Sequence, residues 1–156
     1  MSGTPPMRFG TVTFAEDLDE YVRWLRTAEG LGYDLLGYGD SQSLWADTYV
    51  ALTVAASVTS RVRLGPMVTN PVTRHPAVTA GAMATLQQVS GGRAFLGIGT
   101  GDSSLLNIGE RPARIDAFAA YCRAVKGLCA GEEVQWGDIP LRMQWRTAPV
   151  PLWIAA

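Results

Sequence analysis

The feature that most limits the folds open to this chain is a repeated exchange of two periods. Short apolar or β-branched runs at residues 7–14, 33–40, 62–68, 93–99 and 150–156 read as strands, and four longer stretches between them carry apolar residues three and four apart. The first helix starts near Asp17, sets Leu18, Tyr21, Val22, Leu25 and Ala28 on one face, and stops at Gly32. A second is capped by Asp47 and runs to about Val58, and a third runs from Pro76 to about Ser90. The fourth follows Pro112 and places Ile115, Phe118, Cys122, Val125 and Cys129 on one stripe before Gly131. Strands that alternate with helices make a parallel α/β sheet with right-handed crossovers. Residues 132–149, which include Trp136 and Trp145, carry no period and are expected to be irregular.

At 156 residues the chain can bury one core, so it is one domain or part of one. A net charge of −1 leaves no electrostatic footprint for nucleic acid, and no apolar run reaches the roughly 20 residues of a membrane helix. Residues 1–6 have neither the basic start nor the apolar centre of a secretion signal and read as a flexible tail, so a cytoplasmic protein is expected. Cys122 and Cys129 have no other metal ligands around them and read as buried reduced thiols; no metal site is expected.

In a parallel sheet, ligands bind at the carboxyl ends of the strands. Three such ends carry chemistry. The loop from Gly65 to Pro76 follows the third strand and packs small, rigid and polar residues onto a tight path, suited to main-chain contact with a flat ligand. The fourth strand runs into Gly97, Ile98, Gly99, Thr100, Gly101, Asp102, Ser103 and Ser104, whose glycines admit a ligand and whose N–H groups and hydroxyls suit anionic or carbonyl oxygens. The glycines alternate and do not follow the dinucleotide G-x-G-x-x-G spacing, and glycines needed for strand packing explain them equally well. Asp40 ends the second strand, where it is either a loop cap or a group that hydrogen-bonds a ring or exchanges a proton. His75 reads as a cap, Arg74 as a partner for a ligand anion or a carboxylate, and Asp102 as either a cap or a ligand contact.

Together, these strand ends resemble the bacterial-luciferase-like monooxygenase superfamily, especially its branch of oxidoreductases that use the deazaflavin coenzyme F420. The matching pieces run from Leu64 through Pro71 with Thr73 to Pro76, then Ser90 to Arg93 leading into Gly97 to Ser103, then the closing run from Val150. The resemblance implies a TIM (β/α)8 barrel, of which residues 7–156 supply about four βα units and a fifth strand, the N-terminal half. It implies a non-prolyl cis bond at Met67-Val68 behind the ring, with Thr69 and Asn70 at the ring edge and Gly99, Thr100, Gly101 and Asp102 toward the cofactor's side chain. It carries Asp40 to the ring or substrate side as the catalytic residue.

Three positions depart from relatives within that superfamily. Ser41 stands where the sugar-phosphate dehydrogenase branch has a histidine, which argues against that branch's proton relay. Val12 stands where the methylene-tetrahydromethanopterin reductases, otherwise similar from Thr69 to Pro76, have a carboxylate. Thr100 replaces an arginine that the luciferases use for the flavin phosphate, which favours coenzyme F420 over FMN. The reading is therefore an oxidoreductase that moves hydride between the cofactor ring and a small organic substrate. Its rival is a truncated, non-catalytic flavin-binding or assembly module. An isomerase or aldolase barrel fits less well, since no lysine or glutamate ends a strand. A half barrel leaves its first and fifth strands as open edges, so a homo-oligomer, or pairing with a C-terminal half, is expected.

Overall fold

The computed structural model describes residues 7–155. The expected tail at residues 1–6 lies outside them. In chain order the elements are β1 Gly10–Thr13, α1 Leu18–Gly30, β2 Leu35–Tyr38, α2 Thr48–Val58, β3 Arg63–Pro66, α3 Pro76–Val89, β4 Leu96–Ile98, α4 Ser103–Leu106, α5 Ile115–Cys129, β5 Val134–Trp136, β6 Ile139–Leu141 and β7 Leu152–Ile154.

The sheet is parallel, as the alternation requires. β1, β2 and β3 pair in that order, with Gly10 opposite Leu35 and Leu35 opposite Arg63. β4 pairs with β7 in parallel, and two parallel bridges, Leu64 to Ala94 and Thr69 to Ile98, join the two groups. One face carries Leu36, Tyr38, Leu64, Leu96 and Ile98, all buried in the core with Leu25 of α1, Leu52 of α2, Met83 of α3 and Val125 and Leu128 of α5. The other face is rich in glycine. At Gly65 the strands approach so closely that a Cβ would lie 1.9 Å from the Phe95 carbonyl oxygen.

Several expectations need correction. The strands are shorter than the apolar runs, although main-chain bonds such as Gly39 N–H to Thr13 O and Met67 N–H to Tyr38 O continue past their ends. Just before β1, Phe9 N–H donates to Asp34 Oδ2 at 2.8 Å while Phe9 O accepts from Asp34 and Leu35 N–H. Residues 132–149 are not irregular throughout: β5 and β6 form an antiparallel hairpin that turns at Gly137, where φ is +58°. Three-residue strands with Pro140 in one of them are too short to show a period. The one-turn helix α4 was likewise hidden, since four residues cannot establish helical spacing.

The helix starts follow the caps. Asp17 accepts from Glu20 N–H, Asp47 from Tyr49 and Val50 N–H, and His75 Nδ1 from Ala77 N–H ahead of Pro76. Cys122 and Cys129 are free and buried, and burial pushes the Cys129 thiol up to about 11, so neither presents a thiolate near neutrality. At the amino end of the sheet, Arg93 donates to the carbonyls of Ala56, Thr59, Val62 and Ser90, tying α2 and α3 beneath β3. Glu29 accepts from the N–H groups of Ser60, Arg61 and Val62 in the same region. Among the described residues, no helix is long and apolar enough to cross a membrane.

Candidate functional site

The site begins where β3 runs out. Met67 N–H still donates to the Tyr38 carbonyl, and the following Met67-Val68 peptide bond is cis, as the resemblance implies. The chain then crosses toward β4: Thr69 N–H donates to Gly97 O at 3.0 Å, and Gly99 N–H donates back to Thr69 O at 2.9 Å. These two bonds fasten the β3 loop to the glycine-rich end of β4. Asn70 folds the loop on itself, its Oδ1 accepting from Val72 N–H, Thr73 N–H and Thr73 Oγ1, while Nδ2 reaches Ser104 Oγ at 3.4 Å.

The result is a cavity of about 210 Å³ lined by Val68, Thr69, Asn70, Gly99, Thr100, Gly101, Asp102, Ser104 and Ala155. Of the residues expected to bind a cofactor, only Met67 is not on that lining. It lies on the adjoining ledge, 38% exposed, with its side chain over Gly37, where a Cβ would come within 2.6 Å of it. Gly101 has a φ of +105°, and a Cβ there would meet Leu105, so the turn needs glycine twice over. Ser104, the last hydroxyl of the glycine-rich stretch, is on the lining as well, and Ala155 was missed. Ala155 gave no signal, because an alanine after an apolar run looks like any strand end.

Asp40 sits at the carboxyl end of β2 but behind the ledge, and its side chain is only 1% exposed. Thr69 Oγ1 donates to Oδ2 at 2.5 Å, Arg74 Nη1 donates to the same oxygen at 2.7 Å, and Thr48 Oγ1 donates to Oδ1 at 3.1 Å. The carboxylate therefore faces three protein donors, and its contact with the cavity runs through Thr69. Arg74 spans to the α2 cap as well, with Nη2 at 3.1 Å from Asp47 Oδ2 and its guanidinium 4.6 Å from the Tyr49 ring centroid. Burial alone would lower the Arg74 pKa, but Asp40, then Tyr49 and Asp47, outweigh it and leave it raised.

Two tyrosines close the back of this cluster. Tyr121 donates to Arg74 O at 3.0 Å and shares a 2.6 Å hydrogen bond with Thr79, while burial pushes its phenol up to about 12. The Tyr49 hydroxyl is buried with no hydrogen-bond partner among the described residues, and burial, with Asp40 next in effect, raises its pKa. Arg74 is thus the carboxylate partner the sequence allowed for, and His75 is a cap. Asp102 is not one: it precedes α4 but makes no capping bond, and its carboxylate only accepts from Ser103 Oγ at 3.2 Å. A wider cleft of about 550 Å³ opens at the carboxyl end of β1, walled by Phe14, Trp24 and Trp45 and edged by Glu16, Asp17 and Glu20. Trp45 is held there by its Nε1 donation to Gly39 O at 2.8 Å.

The family described as luciferase-like monooxygenase matches residues 3–156. A 5,10-methylenetetrahydromethanopterin reductase of Methanolobus tindarius is 33% identical over 144 residues, which cover 86% of this chain and 43% of the reductase. Among solved structures, the coenzyme F420-dependent tetrahydromethanopterin reductase of Methanopyrus kandleri superposes with a TM-score of 0.76 at 28% identity, over 96% of this chain and 50% of that one. The monooxygenase RslO1 of Streptomyces bottropensis superposes with a TM-score of 0.76 at 26% identity, over 95% of this chain and 53% of that one. The chain spans about half the length of the relatives it matches. With the family matched over nearly its whole length, the chain belongs to the luciferase-like monooxygenases.

Proposed function

We propose that this chain forms the cofactor-binding half of a TIM-barrel oxidoreductase that uses coenzyme F420, with FMN as the alternative, and passes hydride between the cofactor ring and a small organic substrate. The observation that carries this reading is the convergence of Val68 to Asn70 with Gly99 to Asp102 on one cavity at the carboxyl end of a parallel sheet. The residues fit such a group: Met67 and Val68 offer an apolar ledge, 38% and 37% exposed, and Thr69, Asn70, Gly99, Thr100, Gly101 and Asp102 line the cavity beside it. The cofactor supplies the redox chemistry, and the protein's share is binding and electrostatics.

In this reading Met67 and Val68 back the ring, and Thr69 and Asn70 meet its edge. Gly99, Thr100, Gly101 and Asp102 hold the side chain that follows. Asp40 acts on the reacting centre by orienting the Thr69 hydroxyl, since its own oxygens are turned to Thr69, Arg74 and Thr48. Preference for F420 is supported by the F420-dependent reductase among the structural relatives and by Thr100 at the place of the luciferases' arginine. Titration with oxidised and reduced F420 and with FMN is the test. Saturable fluorescence quenching, tighter for F420, is expected, and no spectral change with any of them overturns the reading. Binding without turnover would favour the rival, a non-catalytic flavin-binding module.

The same reading implies partners. Phe9, Val12 and Phe14 along β1 are 60%, 41% and 53% exposed, and Ile154 on β7 is 58% exposed. Such apolar open edges call for cover by a second copy or by a C-terminal half, in the cytoplasm. Light scattering is expected to give a mass above the 16.7 kDa of one chain. A monodisperse monomer that binds no exposed-hydrophobe dye would refute this.

A further inference from the structure

At the end of the sheet opposite Thr69 and Gly101, three arginines line one cleft. Arg8 comes just before β1, Tyr33 and Asp34 just before β2, and Arg61 and Arg63 at the start of β3; with Gly32 they line a space of about 360 Å³. The convergence follows from the register. Gly10, Leu35 and Arg63 stand side by side, and alternate residues of an extended chain share a face. Arg8, Tyr33 and Arg61 stand two positions earlier, in the segments that lead into those strands, and line the same cleft.

The charges in this cleft are not balanced. Among the described residues, the ion pairs are Arg74 with Asp40, Arg74 with Asp47 and Arg114 with Asp116, so none of the three cleft arginines has a carboxylate partner. Asp34 is the one carboxylate on the lining, and its Oδ2 accepts from Phe9 N–H at 2.8 Å. Glu29, nearby in the fold, directs its carboxylate at the Ser60, Arg61 and Val62 N–H groups. The contacts that the Arg61 and Arg63 guanidiniums make carry no opposing charge. Arg61 Nη2 donates to Glu29 O at 2.8 Å, and the Arg63 guanidinium lies 5.5 Å from the Trp153 ring centroid. Like charges drawn together in a chain of net charge −1 repel unless an anion joins them.

We propose that this cleft binds a phosphomonoester dianion, held by Arg8, Arg61 and Arg63, with the organic part of the ester against Tyr33. Three guanidiniums against one carboxylate match a dianion in charge, and the planar guanidinium fork matches two phosphate oxygens in shape. Tyr33 is 37% exposed and offers an aromatic surface at the rim. The site is separate from the cavity at Asn70 and does not depend on what that cavity holds.

Calorimetry on the full chain with inorganic phosphate, phenyl phosphate and succinate tests the proposal. One saturable site is expected, with phenyl phosphate tighter than phosphate and succinate weaker than both. Arg8→Ala and Arg63→Met should each weaken phenyl phosphate by about tenfold, the usual scale for a lost charge-assisted hydrogen bond. Asp34→Asn, which keeps an acceptor for Phe9 N–H and removes the opposing charge, should tighten it. Arg8→Lys and Arg63→Lys keep charge and lose the fork, so they should weaken binding several-fold even if the larger changes disturb folding. Succinate as tight as phosphate, wild-type affinity in the two lysine variants, or weaker binding in Asp34→Asn would each overturn the proposal.

Discussion

Gly65→Ala is expected to cost at least about 3 kcal/mol of folding stability, more than most single substitutions and a large share of the about 5–15 kcal/mol that holds a domain together. The added Cβ would stand 1.9 Å from the Phe95 carbonyl oxygen and 2.8 Å from its carbonyl carbon. Both are main-chain atoms of the segment entering β4, so no side chain can swing aside to make room. The two segments are tied there by Leu64 N–H to Arg93 O at 3.1 Å and Phe95 N–H to Leu64 O at 3.0 Å. Pushing them apart would also strain the Thr69 and Gly97 link that closes the candidate site. Urea unfolding followed by far-ultraviolet circular dichroism measures the loss. Gly30→Ala is the control: nothing lies within 4 Å of its Cβ position, and it should stay within about 1 kcal/mol of the parent. A Gly65→Ala protein as stable as the control would mean that β3 and β4 do not approach in this way.

Arg74→Met is expected to have the second largest effect, about 3–5 kcal/mol, the usual cost of leaving one partner of a buried ion pair alone. The reason is asymmetry between its two carboxylates. Asp47 is 48% exposed at the side chain and can return to water, so that contact is worth little. Asp40 is 1% exposed and cannot. Losing Arg74 would also remove the cation from the Tyr49 ring. The double variant Asp40→Asn with Arg74→Met should recover part of the loss, because the amide still accepts from Thr69 and carries no charge to strand. The loss should appear in cofactor titration too, since Asp40 anchors the Thr69 hydroxyl beside the ledge. Thermal unfolding of the single variant at the parent's midpoint, or a double variant no better than the single, would show that the pair does not hold the site.

The order of elements, the parallel sheet and the two loops that make the cavity were readable from sequence because each depends on neighbours in the chain. A 3.6-residue period, a proline at a helix start or a glycine at a turn acts within a few residues. Thus the third strand's loop and the glycines after the fourth pointed to one site, and the resemblance carried by the same residues placed a cis bond at Met67-Val68. The hairpin of β5 and β6 and the one-turn α4 fell below the length at which any period shows.

Other features were decided only by folding. Asp40 could be read as a cap or as a reacting group until Arg74, 34 residues away, and Thr69, 29 residues away, were seen to enclose it. Nor did the spacing of Arg8, Arg61 and Arg63 along the chain suggest a common cleft; the strand register brings them together. The sequence by itself determined the kinds of element, their order and which end of the sheet carries the polar loops, because these follow from local conformational preference. Which carboxylate is shut away from solvent, and which cations are left without a partner, depends on burial and on distances across the sheet, and those arise only when remote segments pack.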